Sequence, residues 1–144
     1  MPKETIEERL QRLEDIEAIR QMHLEYTCAL MAMQYDTMLD CYAGDAVLEL
    51  GGPNTARGKQ EINGIFQNVM AKHSTLKDGH IIAQPVITVD GDTAQGHWLL
   101  YIFPPEPKGE WIQGREETEY VKVNGQWKIK HMKFLRGWPQ PPGA

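Results

Sequence analysis

The sequence predicts an α+β fold, a cone-shaped α+β barrel in which N-terminal helices pack on a strongly curved antiparallel or mixed sheet that encloses a pocket. Helical periodicity dominates the first third of the chain and returns at residues 58–72. Two pairs of β-type runs follow, each joined by a dipeptide typical of hairpin turns, Asp90-Gly91 and Asn124-Gly125. Helices that precede antiparallel strands favour this class over a doubly wound sheet. Such a cone is a natural place for a small ligand.

The first helix is predicted over residues 5–33. Thr5 and Glu8 form a capping-box signature at its start. Apolar residues recur at helical spacing, at Leu13, Ile16, Ile19, Met22, Tyr26, Leu30 and Met33. His23 lies at the edge of this stripe. A short second helix is expected at 36–42 and a third at 58–72.

The strands begin with a short segment at 46–50, between a turn at 43–45 and the Gly51-Gly52-Pro53 break. One hairpin is predicted over 79–103 and a second over 111–123 and 126–136. Residues 104–109 read as a proline-rich loop and 137–144 as an irregular tail. The chain is therefore expected to form one domain over 1–144, with its core at about 13–136.

Composition excludes several classes of function. The net charge is −5 and the pI is near 5.5, which argues against binding to nucleic acid or to anionic lipid. No apolar run is long enough to span a bilayer, and the N-terminus is too charged for a signal peptide. Two isolated cysteines, Cys28 and Cys41, indicate a cytoplasmic protein with free thiols. The histidines show no metal-ligand spacing, so neither a metal nor another cofactor is expected.

Two residues are candidates for chemistry. His80 begins the first strand of the central hairpin and could accept a proton at neutral pH, or could simply bond a backbone carbonyl. Tyr26 belongs to the helical stripe, where a tyrosine is usually core. Its hydroxyl could also stabilise an oxyanion in the pocket.

Alternation along strands sorts the remaining candidates by face. If Thr118 faces the pocket, so does Glu116, which could act as a base or as a partner of His80. The alternative is a solvated or salt-bridged Glu116 beside Arg115. Alternation also places Trp98 inward. The same reasoning turns His97 outward, places Glu49 on the outer face, and lets His131 lie inward beside Trp127 and Ile129.

Several segments together resemble the SnoaL-like branch of the nuclear transport factor 2-like superfamily, over about residues 13–136. They are LEDIEAIRQMHLEYTCAL, DTMLDCYAGDAVLEL, ARGKQEI, GHIIAQPVITVDGDTAQGHW and TEYVKVNGQWKIKHMKF. The branch includes polyketide cyclases, scytalone dehydratase, bile-acid dehydratases and a dehydrochlorinase. The resemblance implies a cofactor-free and metal-free pocket for proton transfer on a hydrophobic small molecule, in a homodimer or higher homo-oligomer.

Matched position by position, the resemblance implies a general base or acid at His80, a pocket tyrosine at Tyr26 and a pocket arginine at Arg136. Three positions depart from the family pattern. Met31 and Ile102 stand where relatives carry an aspartate, and Leu50 replaces a pocket tyrosine. These departures weaken the expected His–Asp dyad. Arg136 could clamp a carboxylate or phosphate, or could extend over Trp138 at the surface.

The leading hypothesis is a cofactor-independent lyase or isomerase, dehydratase- or cyclase-like, acting on a polyketide, steroid or terpenoid. His80, Tyr26 and Glu116 would be catalytic. Substrate would contact a mostly apolar set of residues, Arg136, Met31, Leu50, Trp98, Ile102 and Thr118. The alternatives are a binding module of the same fold without chemistry, and a purely structural association domain.

Overall fold

The computed structural model of the protein describes residues 2–104 and 110–139. The helices are α1 Ile6–Met31, α2 Tyr35–Asp40, α3 Gly58–Ile65 and, after a π-helical turn at Phe66–Met70, α4 Ala71–His73. The strands are β1 Tyr42–Glu49, β2 Thr55–Arg57, β3 Gly79–Asp90, β4 Thr93–Phe103, β5 Ile112–Val123 and β6 Gln126–Arg136. Most of the expected proline-rich loop (105–109) and the end of the expected tail (140–144) lie outside the described residues.

All six strands form one sheet in the order β2-β1-β6-β5-β4-β3. Every pair is antiparallel except β1 with β6, which is parallel. The predicted α+β class is confirmed, with a mixed sheet that is open at β2 and β3 rather than closed into a barrel. Helix α1 packs on β3 and β6, and α3 packs on β1. We call the helix-covered side of the sheet the inner face and the opposite side the outer face.

Helix α1 begins at the predicted capping box, with Oγ1 of Thr5 accepting from the Glu8 N–H at 3.1 Å and Glu8 Oε2 accepting from the Thr5 N–H at 2.8 Å. The buried face of α1 matches the predicted stripe in part. Ile19, Tyr26 and Leu30 are buried, whereas Leu13 is exposed. A row of buried positions with four-residue spacing also includes polar side chains: Asp15, Ile19, His23 and Thr27. No helix within the described residues is long and apolar enough to span a membrane.

Strand β1 starts earlier than predicted, because the expected turn at 43–45 lies inside it. Its parallel pairing with β6 is irregular between Tyr42 and Val47, which accommodates this segment. Strand β2 was not predicted, because its three residues, between a Gly-Pro break and a helix, are too few to show the alternation of a strand. The predicted third helix is continuous over its length but contains the π-helical turn.

The two hairpin turns lie where they were predicted. Asn124 and Gly125 both have positive φ, 50° and 78°, as a type I′ turn requires. In the other hairpin, the last strand pair is Asp90 with Thr93. The two central turn residues are therefore Gly91, with a φ of 60°, and Asp92, whose φ is not positive. A type I′ turn requires a positive φ at both, so the Asp-Gly pair lies at the turn but the turn is not type I′.

Two bulges change which side chains face inward. In β3 the register shifts between Ala83 and Val86, where Gln84 has a φ of 52°. Pro85 lies in this shift on an edge strand, where its missing N–H breaks no ladder. In β6 the register shifts so that Glu119 pairs with His131 while Tyr120 pairs with Ile129. The expectation that His131 lies inward is therefore wrong, because the bulge at Lys130 turns it to the outer face.

Candidate functional site

The inner face carries a buried polar cluster around Glu116. Glu116 on β5 pairs with Trp98 on β4 and Phe134 on β6. Its side chain points inward with those of Thr118 and Tyr120, as strand alternation predicts. Glu116 is only 5% exposed. The solvated alternative for this residue is therefore excluded by the structure.

His23 of α1 reaches Glu116 from the opposite side of the interior. Its Nε2 lies 2.7 Å from Oε2 of Glu116, and the ring is fully buried. Its Nδ1 lies 2.9 Å from the hydroxyl of Tyr120, which also accepts a hydrogen bond from Nε1 of Trp98 at 2.9 Å. The imidazole stacks on the indole of Trp98, with centroids 4.5 Å apart.

The direction of the first of these hydrogen bonds is fixed, because the Trp98 indole N–H can only donate and the Tyr120 oxygen accepts from it. The directions at His23 depend on which ring nitrogen carries the proton. We assign that proton to Nε2, so that Nδ1 accepts from the Tyr120 hydroxyl and Nε2–H donates to the Glu116 carboxylate. With this assignment the four groups form one chain of donors that ends on Glu116.

His80 lies on the inner face beyond Glu116, paired with Ile102 of β4. It belongs to a set of half-buried residues at this end of the inner face, which we call the rim: Leu50, His80, Ile102, Ile112 and Phe134. Nδ1 of His80 is buried and makes no hydrogen bond of normal geometry within residues 2–104 and 110–139. Burial lowers the pKa of His80 from its ordinary value, although the carboxylates of Asp78 and Glu116 and the Asp78 backbone oppose this.

Tyr26 lies deeper in the interior than a residue at the rim. Its hydroxyl is 2.9 Å from that of Tyr42, which in turn lies 3.6 Å from the sulfur of Met132. Burial raises the pKa of Tyr26 above its usual range, and the charge of Glu116 raises it further, while the bond to Tyr42 opposes them. Tyr26 therefore remains a protonated hydroxyl at neutral pH.

The predicted substrate-contact residues fall into two groups. Trp98 and Thr118 are buried close to Glu116, and Trp98 uses its N–H within the donor chain. The others are half-buried or exposed and surround that interior: Met31 at the end of α1, Leu50 and Ile102 at the rim, and Arg136. Register with Gly114 places Arg136 on the inner face.

Arg136 lines a cavity of about 430 Å³ at the ends of β1 and β6, together with Leu50, Phe134 and Trp138. The guanidinium over the Trp138 ring is that of Arg115, at 5.3 Å from the ring centroid.

The outer face carries the other two histidines considered for a site. His97 lines an open groove of about 470 Å³ there with Glu117, His131 and Lys133. His131 binds Glu49 through Nε2 at 2.5 Å and lies 3.8 Å from Glu119. His97 and Glu49 thus have the outward placement expected from strand alternation. Neither they nor His131 lies near Glu116, which is on the inner face.

A second polar cluster lies near the start of α1. The carboxylate of Asp15 accepts a hydrogen bond from Nε1 of Trp127 at 3.0 Å and binds Nζ of Lys122 at 2.7 Å. The Lys122 ammonium also lies over the Trp127 ring, 5.1 Å from its centroid. Asp15 is 6% exposed. Because Asp15 lies on α1 while Lys122 and Trp127 lie on β5 and β6, this cluster joins α1 to the hairpin of β5 and β6.

His23 is the site residue that sequence reasoning placed wrongly, at the edge of the helical stripe. A signal for it was present. His23 follows Ile19 by four residues and precedes Tyr26 by three, which is the spacing of one helical face. Its partner Glu116 is 93 residues away in the chain, so the pairing itself could not be read from local pattern.

No group of three His, Cys, Asp or Glu side chains in the described part of the chain is arranged to hold a metal ion. The chemistry available here is that of a buried carboxylate, two imidazoles and a set of tyrosine hydroxyls. These groups can accept, hold and return protons in an apolar surrounding. They can also bind a polar atom of a ligand that is otherwise hydrophobic.

Comparison with known proteins identifies the architecture. The sequence profile of the family described as "SnoaL-like domain" matches residues 11–133. A protein of Novosphingobium aromaticivorans proposed to be an aromatic ring hydroxylase has a similar structure, with 26% identity over 88% of this chain and 92% of that one, at a TM-score of 0.75. A proposed scytalone dehydratase of the same organism is 18% identical over 86% and 85%, at 0.76. A hexachlorocyclohexane dehydrochlorinase, LinA type 2, is 18% identical over 94% and 99%, at 0.77. The last two likenesses show the fold alone.

Proposed function

The chain belongs to the SnoaL-like domain family, and we propose that it is a cofactor-independent lyase or isomerase that transfers a proton on a hydrophobic cyclic small molecule of polyketide, steroid or terpenoid type. The observation that carries this proposal is the buried Glu116 side chain, whose Oε2 lies 2.7 Å from Nε2 of His23 on the inner face that also carries His80. The charge of Glu116 raises the pKa of His80. A dehydratase-like and a dehydrochlorinase-like reaction both begin with such a proton transfer, and proteins with those two names share this fold.

His80 is the general base in this proposal. Because burial lowers its pKa, the imidazole is neutral at pH 7 and can accept a proton. Its buried Nδ1 makes no hydrogen bond of normal geometry with the part of the chain that the structure describes. Once protonated, the ring is stabilised by the negative charges of Asp78 and Glu116, which favour its cationic form. Glu116 thus supplies the negative charge that, in the family pattern, an aspartate at position 31 or 102 would supply.

Tyr26 stabilises the oxyanion that forms when the proton leaves. Its hydroxyl stays protonated. Because Tyr42 donates to the sulfur of Met132, the Tyr26 hydroxyl donates to Tyr42, and a substrate oxygen would replace Tyr42 as the acceptor of that proton. The rim supplies apolar contacts, and Arg136 beside it binds an acidic substituent of the substrate. The substrate ring then lies between the rim and Glu116.

Hydrogen–deuterium exchange at carbon tests the function without requiring a complete turnover. A panel of cyclic hydroxy-ketones and enones is incubated with the protein in D₂O, and loss of the proton next to the carbonyl is followed by NMR. We expect exchange with at least one member, reduced roughly 10²-fold or more in His80→Gln. The control is His97→Gln on the outer face, which should exchange at the wild-type rate.

Two results would contradict the proposal. One is exchange that is unchanged in His80→Gln. The other is saturable binding of panel members with no exchange by any of them, which would favour the alternative of a binding module. In that case the apolar residues Met31, Leu50 and Ile102 would be the principal determinants of affinity, and His80→Ala would leave affinity unchanged.

We also propose that a second copy of the chain covers the outer face of the sheet. Near Gly79 and Phe103 this face exposes a set of apolar side chains, and the ring of Trp111 stacks on Tyr101 and Phe103 at 5.8 and 6.4 Å. The adjoining groove carries both signs of charge, including Arg115, Glu117, Glu119 and Lys133. A surface with both signs can pair with itself across a two-fold axis.

The proposed location is the cytoplasm. Cys28 and Cys41 are both free thiols in the folded chain. Burial raises the pKa of Cys41 to about 11, so this thiol is poorly reactive. Unpaired cysteines are typical of proteins in reducing compartments.

A further inference from the structure

Nε2 of His23 lies 2.7 Å from Oε2 of Glu116, and both side chains are buried. We propose that His23 is a positioning residue that holds Glu116 as a carboxylate through a chain of hydrogen bonds beginning at Trp98. The inference rests on the proposed function, because it gives the negative charge of Glu116 a role in proton transfer by His80. Neither the family pattern nor the sequence assigned His23 this role.

The hydrogen bonds give the first argument. The Trp98 N–H donates to Tyr120, the Tyr120 O–H donates to Nδ1 of His23, and Nε2–H of His23 donates to Glu116. A donor that can only donate begins the chain, and an ionised carboxylate, which can only accept, is its natural end. Stacking on Trp98 also fixes the plane of the His23 ring.

The surroundings of Glu116 give the second argument. Titratable or charged groups face or influence it from its own strand, at Tyr120, and from four other elements: His23 and Tyr26 on α1, Tyr42 on β1, His80 on β3 and Arg136 on β6. The tyrosines are neutral hydroxyls, and burial lowers the pKa of His80. Among these groups, His23 is the one whose direct contact with Glu116 the structure gives, at 2.7 Å.

Removing the His23 donor leaves Glu116 buried without its hydrogen bond. A buried carboxyl group without a partner takes up a proton, because burial disfavours the charged form. A protonated Glu116 no longer favours the cationic form of His80. The His23→Leu variant should then lose proton transfer even though His80 is intact, which is the behaviour of a residue that acts through another.

The tautomer of His23 in the wild-type protein is the first test and needs no variant. Nitrogen-15 NMR of labelled histidine distinguishes the two ring nitrogens. We expect Nε2 protonated and Nδ1 unprotonated at pH 7, with the Nε2 proton shifted downfield by its bond to Glu116. A ring that carries a proton on Nδ1, alone or together with Nε2, would overturn the assigned chain.

The titration of His80 is the second test, because the charge of Glu116 raises the pKa of that ring. The His80 ring is followed by NMR in protein labelled at histidine, and its signal is assigned by its loss in His80→Gln. We expect the titration midpoint of His80 to fall in His23→Leu, since a protonated Glu116 no longer favours the cationic ring. His23→Gln, which restores an N–H donor, should reverse part of the fall, and His97→Leu on the outer face should cause none.

Tyr120→Phe keeps the test informative if His23→Leu does not fold. This variant leaves the imidazole and the carboxylate in place and removes only the hydroxyl that links Trp98 to His23. We expect a fall in the His80 midpoint that is smaller and in the same direction. An unchanged midpoint in the folded variant would overturn the proposal.

Neither measurement uses a substrate, so the two proposals can fail separately. A His80 midpoint that falls in His23→Leu, in a protein that exchanges no proton of any ketone, supports the role of His23 and contradicts the proposed function. Exchange catalysed by His80 with a His80 midpoint that does not depend on His23 supports the proposed function and overturns this inference.

Discussion

The phenyl ring of Phe134 lies directly on Gly114 of the neighbouring strand. A Cβ atom built on Gly114 would come within 2.7 Å of Cζ of Phe134, nearer still to Cε2, and 3.0 Å from the carbonyl oxygen of Leu135. Glycine is therefore required at this position by close packing. The contact holds Phe134 at the rim, on the strand pair that carries Glu116.

Gly114→Ala should accordingly destabilise the protein and displace Phe134. Overpacking of this kind destabilises by about 1–3 kcal/mol, which urea unfolding followed by circular dichroism would measure. Gly44→Ala is the matched control, because nothing lies within 4 Å of a Cβ there, and it should change stability by less than about 0.5 kcal/mol. Phe134→Leu in the Gly114→Ala background should recover part of the loss; an additive loss would mean that the ring is not the cause.

A double-mutant cycle on His23 and Glu116 should show strong coupling. Removing one partner of a buried hydrogen bond destabilises by about 1–3 kcal/mol, and by more when the group left behind is charged, because that group stays buried without a partner. His23→Leu and Glu116→Leu should each have a large effect, and the double variant should be destabilised by much less than their sum. Urea unfolding of the four proteins provides the measurement. Additive single effects would show that the 2.7 Å contact contributes little.

The stability of the protein should decrease below neutral pH partly through His80. Its pKa is lower in the folded chain than in the unfolded one, because burial disfavours the charged ring. As the pH falls through the ordinary histidine value of about 6.5, the unfolded state binds the proton first and gains stability relative to the folded state. The contribution of His80 to the free energy of unfolding is therefore present above that pH, and it is lost as the pH falls toward the pKa of His80 in the folded chain.

The measurement is the free energy of unfolding of wild type and His80→Gln at pH 7.5 and pH 5. We expect the decrease between the two pH values to be smaller in His80→Gln. His73→Gln serves as the control, since His73 is exposed at the end of its helix, and it should follow wild type. An equal decrease in wild type and His80→Gln would contradict the assigned burial effect.

The sequence predicted the two hairpins and the inward direction of Glu116 because both depend on local rules, turn residues and strand alternation. The same rules failed for His131. The bulge at Lys130 inverts the alternation, and no turn residue marks it. For α1, an apolar stripe was expected, whereas Asp15 and His23 occupy buried positions. Their partners Trp127 and Glu116 lie far along the chain, so only the tertiary structure explains why polar residues stand there.

The proposed assembly through the outer face depends on the exposed ring of Trp111. Replacing Trp111 by Ser removes the ring that stacks on Tyr101 and Phe103. If a second copy covers this face, the variant should dissociate at protein concentrations where wild type is a dimer in sedimentation velocity. Leu76→Ser is the control, because Leu76 is also an exposed apolar residue but lies in the loop before β3. A monomeric wild-type protein would refute the assembly outright.

Asp15 provides a last prediction, on the acid side of the pH range. Burial raises the pKa of this carboxyl, but the hydrogen bonds from Lys122, Trp127 and Gln11 and the charge of Lys122 outweigh it, so the pKa is lowered overall. A carboxyl group whose pKa is lowered by folding stabilises the protein at pH values above its unfolded pKa of about 3.8, and this stabilisation is lost as the pH falls further.

Asp15→Asn keeps an acceptor for Trp127 and removes the charge. Its free energy of unfolding should therefore lie below that of wild type at pH 7 and approach it near pH 3. Thermal unfolding at the two pH values tests this, with Glu17→Gln on the exposed side of α1 as control. A constant difference between wild type and Asp15→Asn would mean that the carboxylate acts here through its shape and not through its charge.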